Sequence, residues 1–252
     1  LGFQFLEMGA QRPVLTPWPR ATSFEHVLNN SKASYFAGAL LLPASQLLDG
    51  LSAFFASERF HGPTLLSLLS RFNSSPEMFA LRLTNLVPRE FRIGKLFFQR
   101  FDHDRDTDTV SLHKELFLDR LHDTRAIQLL NDGVAAWLRK ALFASIQQQH
   151  HDQRYGGPLC EAHRFTAPDG RSFFVMALGR RMGREQHRSL AVCIGLEITP
   201  AHEKAIAFIN DPSVGTSALA LRPDLVDAQE RFQRIQDAVD RLVKAELQAS
   251  RS

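Results

Sequence analysis

Lys95-Leu96-Phe97-Phe98-Gln99-Arg100-Phe101 and, after a polar run, Val110-Ser111-Leu112-His113-Lys114-Glu115-Leu116-Phe117-Leu118 mark the point where the period of the chain changes. Both stretches alternate and are rich in β-forming residues, so they predict two strands joined by a hairpin loop over Asp102 to Thr109. Alternation puts Phe97 and Phe101 on one face of such a sheet and Phe98 on the other. Upstream of Pro88 the spacing is helical. Asn29 to Leu42 repeats apolar and small residues (Ala33, Phe36, Ala37, Leu40, Leu41) until Pro43 stops it. Gln46 to Phe55 predicts a second helix with Ser45 as its N-cap. Pro63 to Phe72 and Pro76 to Leu86 predict a third and a fourth, divided by Asn73-Ser74-Ser75, and Pro88 closes the block.

Downstream, Asn131 to Gln149 reads as a helix with Val134, Trp137, Leu138, Ala141, Leu142 and Ile146 on one side. Strands follow at Leu159 to Thr166, Ser172 to Arg180 and Ser189 to Ile198. Pro168-Asp169-Gly170 turns the first into the second, because Gly supplies a positive φ. Thr199 caps a helix over Pro200 to Phe208. The order β-β-α-β-β-β-α predicts an α+β fold, with a mainly antiparallel sheet of the kind found in PAS-, GAF- and profilin-like sensor modules. We expect a helical block over 1–88, a sensor domain over 89–211, and a linker with a C-terminal helix over 212–252. In that helix Leu225, Ala228, Phe232, Ile235, Val239 and Leu242 step by three and four, which suits either a homodimer seam or packing on its own domain.

Composition bounds the function. The 252 residues carry 30 Lys and Arg against 27 Asp and Glu, a formal charge of +3, which is no footprint of a dedicated nucleic-acid binder. Twenty Phe promise a large apolar core, and two cysteines argue against a disulfide scaffold and a cysteine-only zinc site. No apolar run approaches the ~18 to 20 residues that span a membrane, so a cytoplasmic protein is expected. The opening Leu1-Gly2-Phe3 reads as the interior of a longer chain.

Three stretches carry a resemblance. They are Asn29-Asn30-Ser31-Lys32-Ala33-Ser34-Tyr35-Phe36-Ala37-Gly38-Ala39-Leu40-Leu41-Leu42-Pro43, then Ser70-Arg71-Phe72-Asn73-Ser74-Ser75-Pro76-Glu77-Met78-Phe79-Ala80-Leu81-Arg82-Leu83-Thr84-Asn85-Leu86, and Leu96-Phe97-Phe98-Gln99-Arg100-Phe101. Together they resemble bacterial XRE-type transcription regulators that join a helix-turn-helix, an IrrE/ImmA-like domain and a domain of the short-chain fatty acyl regulator family. The resemblance implies a regulator of carbon or fatty-acid metabolism whose C-terminal region senses acyl-CoA or a CoA-like ligand. It also implies a DNA-binding helix-turn-helix upstream of Leu1. Peptidase members of that group resemble zinc enzymes with an HExxH helix and a carboxylate ligand. This chain has no HExxH, and the ligand Glu falls on Asn30, a poor zinc donor. No cysteine cluster stands in Pro212 to Leu221, where some relatives of the family carry one. Cys160 and His163 form a C-x-x-H string, but on a strand this spacing points them to opposite faces.

No catalytic or metal residue is therefore expected. Arg180, Arg181, Arg184 and Arg188, with His187 and with Arg171 near the preceding turn, form a basic region that could hold the phosphates of CoA, or simply a solvated hairpin. Phe97, Phe98, Phe101 and Phe173 could line an acyl or pantetheine arm, or be ordinary core. The pair of helices around Asn73-Ser74-Ser75 offers only Arg82 and Asn85 as DNA readers, so packing explains it better. His150 and His151, adjacent on a helix, do not share a face. The leading expectation is a non-catalytic effector-sensing and dimerisation region. The alternatives are a degenerate zinc metallopeptidase fragment and a ligand-free interaction or dimerisation module.

Overall fold

The computed structural model describes residues 24–118, 124–151, 157–183 and 187–219. Four helices come first: α1 Phe24–Leu41, α2 Ala44–Phe55, α3 Gly62–Arg71 and α4 Pro76–Phe91. The hairpin β1 Leu96–Asp104 and β2 Thr109–Phe117 follows, then α5 Thr124–Leu138, a π-helical segment Arg139–Phe143 and α6 Ala144–His151. Strands β3 Leu159–Thr166, β4 Ser172–Arg181 and β5 Arg188–Glu197 lead to the short helix α7 Pro200–Ala205, a 3-10 turn Ala207–Asn210 and β6 Gly215–Ala218. The fold is α+β, as the strand and helix periods require.

The six strands form one sheet in the order β2-β1-β5-β4-β3-β6. Five are antiparallel neighbours, and β6 joins β3 in parallel. Strand alternation divides the side chains as expected. Leu96, Phe98, Phe174, Met176, Leu178, Val192 and Ile194 face one core, which they share with the buried faces of α2, α3 and α4. Phe97, Phe101, Phe173, Val175, Ala191 and Cys193 face the second core, beneath α5, the π segment and α6. The first core thus runs across residues 88–89, joining the helical block directly to the sheet. Close approach reinforces the joint: a Cβ added at Gly62, the first residue of α3, would come within 2.5 Å of the Cys160 carbonyl on β3.

Several local expectations need correction. Helix α2 begins at Ala44 with Pro43 in the N-cap position and no side-chain cap, so Ser45 lies inside the first turn. Pro88 does not close α4. The helix runs on to Phe91 and ends at Arg92 with φ 56°. Pro88 removes one backbone donor, and the continuation sets Phe91 edge-on against Phe55 with ring centres 5.0 Å apart. Strand β1 extends three residues past Phe101, leaving only 105–108 as the hairpin turn. The helix expected over Asn131 to Gln149 is two α-helical pieces around a π turn. Thr199 caps α7 as anticipated, accepting from the His202 N–H at 3.3 Å. That helix stops at Ala205, and a 3-10 turn carries Phe208 into the core. Gly170 takes the left-handed φ of 85° that its turn demands.

Candidate functional site

An open groove of about 650 Å³ lies between the C-terminal half of α1, the exposed side of α4 and the edge strand β2. Helix α4 supplies one wall because Met78, Leu81, Arg82 and Asn85 recur at three- and four-residue spacing. Its first turn is fixed by Ser75, whose hydroxyl accepts from the Met78 N–H at 3.2 Å, with Pro76 as the first helical residue. Helix α1 contributes Tyr35, Ala37 and Gly38, and β2 contributes Lys114 and Leu116, with Leu118 just past its end. Tyr35, Leu116 and Leu118 are 48, 41 and 44% exposed, so apolar surface here has nothing over it among the described residues.

The charges around the groove are unevenly matched. Glu77 binds Arg100 at 3.0 Å and Lys114 at 3.3 Å, and Arg100 also reaches Asp102 at 3.3 Å. Lys114 additionally sits over the Phe98 ring, 5.6 Å from its centre. These pairs are partly solvated, each worth about 0–1 kcal/mol. Arg82 differs, since only 6% of it is exposed. Its Nε donates to the Leu42 carbonyl at 3.1 Å, its guanidinium lies 5.5 Å from the Tyr35 ring centre, and its Nη1 has no hydrogen-bond partner. No carboxylate among the described residues pairs with it. Leaving a buried donor unmade costs about 1–3 kcal/mol, more for a charged group. The fold therefore keeps a costly cation at the side of an apolar groove.

The residues singled out in the sequence fall elsewhere. Phe97, Phe101 and Phe173 are in the core under α5, and Phe98 is in the core under the helical block, each at most 1% exposed. A void of about 20 Å³ beside Phe55, Phe174 and Phe208 holds no more than a water. The arginines are not one cluster. Arg171 sits at the β3–β4 turn, where Asp169 holds it at 2.6 Å. Arg180 and Arg181 end the same strand, about 30 Å away at ~3.3 Å per residue. Arg188 begins β5, with its Nε 4.0 Å from Asp104. Arg184 and the seam residues Leu225, Phe232, Ile235, Val239 and Leu242 lie outside the described residues, as do the side chains of Asn30, His150 and His151. Asn85 is exposed and donates to the Leu81 carbonyl of its own helix.

Cys160 and His163 part as the strand spacing requires. Cys160 packs against the helical-block core, whereas His163 stacks on Trp137 with ring centres 5.3 Å apart and meets the Ser217 hydroxyl at 2.9 Å. Burial pushes both cysteine thiols up and the His163 ring down from their ordinary values. Among the described residues no three His, Cys, Asp or Glu side chains gather to hold a metal. Nor is any single described helix long and apolar enough to cross a membrane. Sequence reading weighed Arg82 only as a DNA contact. The missed signal was an arginine between Leu81 and Leu83 on a helix that buries both Leu83 and Arg82 itself.

The three stretches that carry the resemblance meet here. The first supplies Tyr35, the second Arg82 and Glu77, and the third supplies Phe98 beneath Lys114 and Arg100 beside Glu77. No family model matches the chain, and no curated protein matches it. Among solved structures, a Mycobacterium tuberculosis transcriptional regulator is similar at 20% identity with a TM-score of 0.46, over 80% of this chain and 56% of that one. This chain spans just over half the length of that regulator.

Proposed function

We propose that this chain is the effector-sensing and dimerisation region of a bacterial transcription regulator of carbon or fatty-acid metabolism, with acyl-CoA or a CoA-like molecule as effector. The observation that carries the reading is the groove itself, a largely apolar, ligand-sized space lined by two of the stretches that resemble such regulators and by the strand β2 region. An acyl and pantetheine arm lies against Met78, Leu81, Leu116 and Leu118. The phosphates run along the sheet toward Arg180 and Arg188, which alternation puts on the same face as Lys114. Along β1, Arg100 and the partner position of Arg188 are four residues apart, about 13 Å. The region performs no chemistry. DNA is contacted by a helix-turn-helix outside this chain, in the cytoplasm, and two copies associate through the C-terminal helix.

Signalling follows from the position of α1. The Leu42 carbonyl at its end is tied to Arg82, so a ligand that engages the groove favours one packing of α1 on α4 over another. Native mass spectrometry and thermal shift with acetyl-, butyryl- and octanoyl-CoA, against CoA alone, test the assignment. A bound ester with raised melting temperature supports it; no bound species and no shift with any ester removes it.

A further inference from the structure

Among the described residues Arg82 is the charge at the groove without an ionic partner, and that exception points to what the groove is built to receive. Glu77 is shared by Arg100 and Lys114, and Asp102 takes the other side of Arg100. Among the described residues three Arg and Lys side chains, counting Arg82, face these two carboxylates, Asp102 also meeting His113 at 3.3 Å, and the cation left without a carboxylate is the buried one. Its Nε is occupied by the Leu42 carbonyl, so what remains is the Nη edge of a planar fork, where the buried Nη1 has no hydrogen-bond partner among the described residues. That edge matches two oxygens in a plane. A phosphomonoester dianion calls for a second cation, and the nearest ones are already held by Glu77. The same groove is lined by the apolar side chains of Met78, Leu81, Leu116 and Leu118, and the Tyr35 ring lies against the guanidinium.

We infer that Arg82 is a ligand-recognition residue and that the group it takes is a carboxylate at the end of a short, unbranched apolar chain. The inference rests on the effector reading above and narrows it. Two sources share this chemistry, a free carboxylic acid and a CoA ester whose acyl chain carries a second, terminal carboxylate. A plain acyl-CoA offers Arg82 only a neutral methyl end. Neutralising a buried, unpartnered cation gives the carboxylate its advantage over any ligand of equal chain length.

Isothermal titration calorimetry with four probes of matched chain tests this on the whole chain: hexanoate, hexanol, adipoyl-CoA and hexanoyl-CoA. Hexanoate is expected to bind at least about tenfold tighter than hexanol, or adipoyl-CoA at least about tenfold tighter than hexanoyl-CoA, and the pair showing the gap names the source. Arg82→Met abolishes the preference, and Arg82→Lys, which keeps the charge but not the fork, retains a reduced one. Because Arg82 also holds the end of α1, a second variant guards against loss of fold. Leu118→Asp, at an exposed position, places a like charge in the groove and weakens the carboxylate probe about tenfold while affecting its neutral match less. Equal affinities within both pairs, or carboxylate affinity indifferent to Leu118→Asp in folded protein, overturn the inference. Hexanoyl-CoA binding as tightly as adipoyl-CoA, with no gap between hexanoate and hexanol, removes this inference and leaves the effector reading. Hexanoate binding over hexanol with no CoA ester bound does the reverse, and no binding of any probe removes both.

Discussion

Both faces of the sheet, the one under the helical block and the one under α5, gather rings, but the second also keeps polar side-chain links inside its core. On the first, Phe208 lies 4.8 Å from Phe54, 5.7 Å from Phe60 and 5.8 Å from Phe174, centre to centre. On the second, Gln99 and His103 are at most 1% exposed. Gln99 donates to Asn131, which in turn donates to Glu115 at 2.9 Å, and His103 meets Asp108 at 3.2 Å while Arg139 grips Asp108 from the π segment. These links tie the β1–β2 hairpin to the helix above it. The contrast teaches that apolar shape orients the helices on one side, whereas on the other it is joined by side-chain hydrogen bonds. It also sets Arg82 apart: the buried polar groups under α5 reach another polar side chain, while among the described residues Arg82 meets a backbone carbonyl and the Tyr35 ring at the groove.

The largest effect should come from breaking the face under the helical block. Phe208→Ala removes the ring that joins the 3-10 turn to α2 and the sheet, and urea unfolding should record a loss of about 3–5 kcal/mol. A smaller loss is expected where the faces meet at the β1–β5 ladder. A Cβ on Gly195 would stand 2.1 Å from the tip of Phe97, so Gly195→Ala should cost about 1–3 kcal/mol by the same measurement.

A third test concerns Asp211, which ties the two parts together by accepting the Phe60 N–H at 2.7 Å. The Ser213 N–H and hydroxyl, then the Phe60 N–H, hold its carboxyl below the ordinary carboxylate range. A depressed folded value means that its stabilisation is present above the unfolded carboxyl's range and is lost as pH falls through the folded value. Asp211→Asn should therefore lower the melting temperature at neutral pH and flatten its decline between about pH 5 and pH 3. The smallest effect is expected under α5. Gln99→Met removes a buried Oε1 that has no partner together with one good hydrogen bond, and the net change in urea unfolding should stay within about 1 kcal/mol. A larger loss there would mean that the Gln99–Asn131 link does more than orient α5.

Much of this fold was legible because period survives in short windows. The alternation in Leu96 to Phe101 assigned Phe97 and Phe98 to opposite cores, and the turn at Pro168-Asp169-Gly170 set the β3–β4 hairpin. Strand β6 was invisible: Gly215-Thr216-Ser217-Ala218 is exposed throughout and joins the sheet through backbone pairing and the polar contact of Ser217 with His163, leaving no apolar pattern. Pro88 misled because local preference was overridden by the packing of Phe91. The groove was illegible for a different reason. Tyr35, Arg82 and Leu116 are brought together from positions more than thirty residues apart, and no spacing rule connects them. Residue type alone does not separate a ring in a core from a ring at a wall, nor a paired arginine from one at a site.

One feature of the helix over the second core bears on how the chain tolerates change in length. Leu130, Val134, Leu138, Leu142 and Ile146 are buried at an unbroken interval of four. At about 100° per residue an α-helix would rotate that stripe some 40° per step away from the sheet. The wider π turn over Arg139–Phe143 absorbs the excess. In effect the helix carries one residue more than it needs. Deleting exposed Lys140 would convert the interval to four, four, three, four, the ordinary α-helical rhythm, and should leave a folded protein. Deleting Ala80 from the middle of α4 would turn Phe79 and Leu83 out of register and should not; circular dichroism melts of the two deletions would make the difference plain.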